Sequence, residues 1–180
     1  MKNVLFTLAL VFTSVSLFAQ KLTLDPYHAK LQFEVTHMTI SNVDGGFNKF
    51  DAKLDYTKSD FSDAKFTLTA ETNSIDTGIE ARDSHLKSAD FFDVEKYPNL
   101  KFVTTSFTKG KNNNYKLVGN LTLHGVTKPV TLNVKYNGNV VNPMSNKKTY
   151  GFTVTGSFKR SDFGVGPNFP EAVVSDAVQL

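Results

Sequence analysis

Four histidines, His28, His37, His85 and His124, are the first side chains here able to hold a metal or move a proton. No two of them stand at H-x-H or H-x-x-x-H spacing, and the chain has no cysteine to add a sulfur ligand. A structural or surface role for each is the simpler reading, and no metal is expected. Nucleophile chemistry has no better anchor. Gly-x-Ser-x-Gly is absent, and Ser84 and Ser161 each neighbour an Asp without sitting on a strand-to-helix elbow. Asp90 and Asp93 read as solvated turn or cap groups. Gly164-Val165-Gly166 precedes Pro167 rather than a helix, so it is no phosphate loop. No catalytic constellation and no cofactor motif emerge.

The arginines carry more information. Only two occur, Arg82 and Arg160, among many lysines. Each has two readings. It pairs with a carboxylate or backbone carbonyls at the end of a fold, and Asp83 is a ready partner for Arg82. Or it meets an anionic or polar head group by bidentate hydrogen bonds. A buried charge is costly unless paired, which favours the first reading.

The elements that must position these groups have a period of two. Leu31, Phe33 and Val35 alternate with Gln32, Glu34 and Thr36. The same rhythm runs through Phe50–Tyr56, Ala64–Ala70, Val130–Tyr136 and Tyr150–Phe158. It marks antiparallel strands with one dry and one wet face. Asp44-Gly45-Gly46, Ser59–Asp63, Lys109–Asn114, His124-Gly125 and Asn137-Gly138 read as turns or bulges between them. About eight strands result, near 29–39, 46–57, 63–72, 99–109, 115–124, 128–141, 148–160 and 173–180. Eight antiparallel strands leave two open edges unless the sheet closes into a barrel. A flat sandwich is the alternative. Thr77 to Ser88 breaks the rhythm as a short helix. Thr77 and Glu80 stand at capping-box spacing, and Ile79, Arg82, Asp83 and Leu86 share a face.

The N-terminus sets the expected compartment. Lys2, a mostly apolar run from Val4 to Phe18, and Ala19 follow the order of a secretory signal peptide, with cleavage after Ala19. A retained anchor is the other reading of that run. About 160 residues then remain, enough for one domain with its own core. The absence of cysteine leaves stability to that core. Acidic and basic residues are interspersed, against a nucleic-acid partner, and no other run suits a membrane-spanning helix. The 16 Phe and no Trp imply a thick core or an apolar cavity.

Several blocks resemble a known family. They are Leu24-Asp25-Pro26-Tyr27-His28, Phe33–Met38, Gly46–Phe50, Ser74–Thr77, Arg82–Ser88, Asp90–Val94, Tyr97-Pro98, Gly119–Val130 and Arg160–Gly164. In this order they are similar to the YceI-like lipid/polyisoprenoid-binding family. The resemblance spans nearly all of residues 20–180. It implies an all-β, antiparallel, eight-stranded lipocalin-like barrel with one short helical insertion. It also implies a periplasmic or secreted carrier with an apolar tunnel for a polyisoprenoid, an isoprenoid quinone or a fatty-acid derivative. A homodimer is compatible with it.

The alternation then nominates the tunnel lining. Phe33, Val35, Phe66, Leu68 and Leu121 face inward. So do Leu123, Val134, Phe152, Val154 and Phe158, while Leu86, Phe91 and Phe92 are placed to close one end. His37, Arg82, Asp83, His85 and Arg160 are the polar candidates. Two other functions stay open at this point: an enzyme acting on such a lipid through His37, His85 and Asp83, and a dry-core interaction protein of stress responses.

Overall fold

The computed structural model describes residues 19–180, so the expected leader lies outside the described residues except for Ala19. The strands are β1 Gln20–Thr23, β2 Gln32–His37, β3 Ser41–Phe47, β4 Phe50–Tyr56, β5 Lys65–Glu71 and β6 Ile75–Asp76. After the helix α1, Glu80–Lys87, come β7 Asn99–Lys109, β8 Asn114–Leu123, β9 Val126–Val141, β10 Lys148–Lys159 and β11 Ala177–Gln179. Every pairing is antiparallel, in the order β1-β4-β5-β7-β8-β9-β10-β11-β2-β3-β6.

Eleven segments replace the eight strands expected, because β1 is additional and two of the eight bend. β3 runs into β4 through Asn48-Lys49, and β5 runs into β6 through a 3-10 turn at Thr72–Ser74. β4 pairs with β5 while β3 pairs with β6, so two long bent strands stay bonded along both halves. β1 and β2 flank the same bent strand, on β4 and β3 respectively. The wall therefore has eight rungs, and the antiparallel barrel with one helical insertion is the fold.

The seam lies between β11 and β2. Gln179 pairs with Glu34, the Met38 N–H donates to Val173 O, and the Ser175 N–H donates to Thr36 O. This closure covers only the end near α1. Gly156 and Leu180 exchange backbone hydrogen bonds, and residues 148–155 pair with β9 alone. β1 pairs only with β4. The sheet is thus a strongly curled wall, closed at the α1 end and split between β1 and β10 toward the other.

Two local expectations change. Asp44-Gly45-Gly46 is not a turn but the middle of β3, and the reversal falls at Met38-Thr39, both in the left-handed region (φ 53° and 63°). A Cβ on Gly45 would stand 2.5 Å from Cζ of Phe33. Glycine is there so that a ring can lie flat on the wall, not to reverse the chain. The capping box also does not form. α1 starts after Ile79, whose side chain points to solvent, and Thr77 turns its hydroxyl to Asp83 instead. His124-Gly125 does make the tight turn between β8 and β9, with both residues at positive φ, and Asn137-Gly138 is a bulge inside β9.

One side chain organises the seam. Arg160 opens a 3-10 turn, Arg160–Phe163, and is 7% exposed. Its Nε donates to Ser175 O (3.2 Å), Nη1 to Val165 O and Gly166 O (3.0 and 2.6 Å), and Nη2 to Phe169 O and Val174 O (2.5 and 3.0 Å). All five guanidinium N–H groups are used. The partners are carbonyls, and no carboxylate is among them. Arg160→Ala should leave those carbonyls buried and unpaired, at a cost above about 3 kcal/mol. Thermal unfolding should then fall by roughly 10 °C. A melting curve within two degrees of wild type would contradict this role.

Candidate lipid-binding cavity

The inward faces of the rungs enclose a cavity of about 1890 Å³, well above the roughly 300–1,000 Å³ of drug-sized sites. Its wall is mostly apolar. Phe33, Val35, Phe66, Leu68 and Leu121 border it, as do Leu123, Val134, Phe152, Val154 and Phe158. The decisive feature is that Phe33, Phe66, Leu68, Phe152 and Phe158 point inward yet stay only half-buried. In a filled barrel these side chains would meet each other across the axis. Glycine helps keep the axis clear. A Cβ on Gly119 would stand 2.2 Å from Cζ of Phe102, so that ring lies against β8 rather than reaching into the lumen.

Both ends carry aromatic caps. At the α1 end Phe92 meets Phe47 edge-on at 5.8 Å, and Phe47 meets Phe33 at 6.0 Å. Phe91 stacks on Phe169 at 4.5 Å, and the His85 ring stands edge-on to both. Leu86 borders the cavity beside them. At the opposite end Phe61 forms a plug, 3% exposed, among Tyr56, Tyr136, Phe152 and Tyr150 at 4.7–5.8 Å. Phe61 has φ 59°, a strained position for a bulky residue, held by the four rings around it. With both ends capped, the split between β1 and β10 is the way in.

The polar candidates fall into three groups. Arg82 and Asp83 do not pair with each other, because both clasp Thr77. The Arg82 Nε donates to Thr77 Oγ1 (2.7 Å) and Nη2 to Thr77 O (2.8 Å). Asp83 Oδ1 accepts from the Thr77 N–H (2.9 Å) and its hydroxyl (2.5 Å). Arg82 and Thr77 border the cavity, and Asp83 stands behind them. Nη1 of Arg82 has no hydrogen-bond partner among the described residues. His37 and His85 also border the cavity; His85 Nε2 is bonded to Asp90 Oδ2 at 3.1 Å. Arg160 touches the cavity edge with every donor already engaged. Among the described residues no group of three or more His, Asp or Glu could hold a metal ion, and no helix is long and apolar enough to cross a membrane.

The plug and much of the α1-end cap escape the alternation rule. Phe61 lies in Ser59–Asp63, a polar turn by composition, and its large apolar ring there was the available signal. Phe169 and Val165 sit in an irregular loop where no period applies. Phe50, Leu54 and Leu132 do alternate and also border the cavity.

A curled antiparallel barrel with a capped, hollow, apolar interior defines a class of small-molecule binding fold. The comparisons narrow it: residues 22–180 match the model of the YceI-like domain, and the chain belongs to that family. A UPF0312 protein of Staphylococcus aureus strain MSSA476 is 39% identical over 158 residues, 88% of each chain. The crystal structure of Burkholderia cenocepacia BcnA superposes with a TM-score of 0.77 at 25% identity, covering 86% of this chain and 94% of that one. A polyisoprenoid binding domain from Saccharophagus degradans shares the fold at a TM-score of 0.60 and 17% identity, over 87% and 92%.

The plug has a measurable signature. Burial of Tyr56, and its hydrogen bond to Tyr150, push its phenol up to about 12. A pKa raised on folding adds stability that is whole below the unfolded value near 10 and is lost as pH climbs through about 12. The barrel should therefore weaken between those pH values, and Tyr56→Phe should flatten that part of the curve. Denaturant midpoints across the alkaline range check this, and an unchanged slope in the variant would contradict it.

Proposed function

We propose that this chain is an exported, non-catalytic carrier of a long-chain lipid, its tail in the barrel and its polar head at the α1 end. One observation carries the reading: inward Phe and Leu side chains stay half-exposed around a cavity of about 1890 Å³. A barrel with a dry core has no reason to leave them so. The description of the Saccharophagus degradans domain as polyisoprenoid-binding supports an isoprenoid tail. The order of charge, apolar run and Ala19 supports delivery to the periplasm or beyond. For the head group, Arg82 is the favoured partner, because it borders the cavity, Thr77 fixes its Nε and Nη2, and its Nη1 has no partner among the described residues. An oxygen-rich head, such as a quinone carbonyl or a phosphate, suits it. Arg160 has no donor left for that task and serves the wall.

A chain-length series tests the reading. Affinity for polyprenols should rise at least about tenfold per added isoprene unit, then level off once the cavity is full. Affinity independent of length would remove the tail-in-barrel reading. Arg82→Leu should weaken a head-bearing lipid about tenfold and leave a headless hydrocarbon unchanged. Equal loss for both ligands would mean that Arg82 only shapes the fold.

A further inference from the structure

The split in the wall has an unusual rim. One bank is β1 and the loop 24–31, and the other is β10 with the β9–β10 hairpin; both border the cavity. Large apolar side chains stand out from this rim. Tyr27 is 91% exposed on one bank, and Met144 is 96% exposed at the hairpin tip, beside Val140 and Val141 at 62% and 56%. Lysines surround them: Lys21 and Lys30 on the first bank, Lys147 and Lys148 on the second. None of these four is in ion-pair contact with a carboxylate among the described residues. Lys53, also on the rim, is neutralised by Asp51 at 3.0 Å, and Asp25 is taken up by His28 at 2.9 Å. The α1 end differs in charge. It exposes Asp76 and Glu80 on either side of Ile79 in the chain, while Asp90 is taken up by His85 at 3.1 Å.

Apolar tips among unpaired lysines match the chemistry of an anionic lipid bilayer. The tips enter the interfacial layer, and each lysine near the surface adds electrostatic attraction to the anionic head groups. We propose that the β1–β10 rim docks on an anionic membrane surface and that lipid passes between bilayer and cavity through the split. This rests on the carrier reading for what passes, but the docking itself needs no ligand. The geometry favours this end because β1 and β10 share no backbone hydrogen bonds, so a chain can cross between them without breaking the ladder. Docking the α1 end instead would press its carboxylates onto like charge.

Vesicle flotation decides the matter, using the protein as it is recovered from its host. Two membranes are compared: phosphatidylcholine alone, and phosphatidylcholine with phosphatidylglycerol. The protein should bind the anionic vesicles more strongly, and high salt should remove the difference. Lys147→Glu with Lys148→Glu should cut anionic binding about tenfold or more. Met144→Asp should lower it as well. The Met144→Asp variant should still bind a quinone supplied in detergent, read by its absorbance on gel filtration, because Met144 is not among the residues that border the cavity. Wild-type protein that ignores phosphatidylglycerol would overturn the proposal. So would variants that float as wild type does, or equal binding to both vesicles, which would point to residues 1–18 as an apolar anchor. Failure of every form to bind quinone from detergent, with flotation as described, would sink the carrier reading and leave the docking surface standing.

Discussion

The guanidinium of Arg160 gives all five of its N–H groups to backbone carbonyls between Val165 and Ser175, and the barrel closes through that loop. Without those bonds the loop would carry a run of unpaired carbonyls into the interior, a cost no small apolar residue could offset. With them, residues 173–179 return between β10 and β2 and complete the ring. The same loop delivers Val165 and Phe169 to the cavity, and Phe169 supplies the face on which Phe91 stacks. The seam, one cap and part of the lining thus depend on one buried cation.

A hollow barrel has a stability problem that this molecule handles at its ends and walls. Apolar surface facing an empty lumen contributes little, so cohesion must come from elsewhere. The caps supply some of it: Phe61 among four rings at one end, and the Phe33–Phe47–Phe92 and Phe91–Phe169 contacts at the other. Fully buried Leu117, Thr72 and Phe163 anchor the wall itself. Close approach of Phe102 to Gly119, and of Phe33 to Gly45, lets rings pack on backbone instead of on each other. On the proposed reading, a lipid tail supplies the missing contacts when it binds.

Much of this was legible in the residues, and the failures have physical causes. Alternation located the inward faces because a strand with one wet side must repeat every two residues, as in Phe66-Thr67-Leu68 and Phe152-Thr153-Val154. It could not tell a filled interior from a hollow one, since Phe33 reads the same in either. The Asp44-Gly45-Gly46 misreading arose because glycine serves turns and close packing alike, and only the position of Phe33 separates the two. The Thr77–Glu80 box misled because Asp83 competes for the same hydroxyl. Arg160 could be placed at a strand end, but its partners are carbonyls far along an irregular loop, which no local pattern encodes.

The central claim is that the lumen exists to hold a long lipid tail. Native mass spectrometry of protein taken from its own host, without detergent, tests it most directly. The account predicts a fraction heavier than the bare chain by one lipid, released on activation and carrying an isoprenoid tail with an oxygen-bearing head. A single species at the bare mass, unchanged after incubation with the host's total lipid extract, would contradict it.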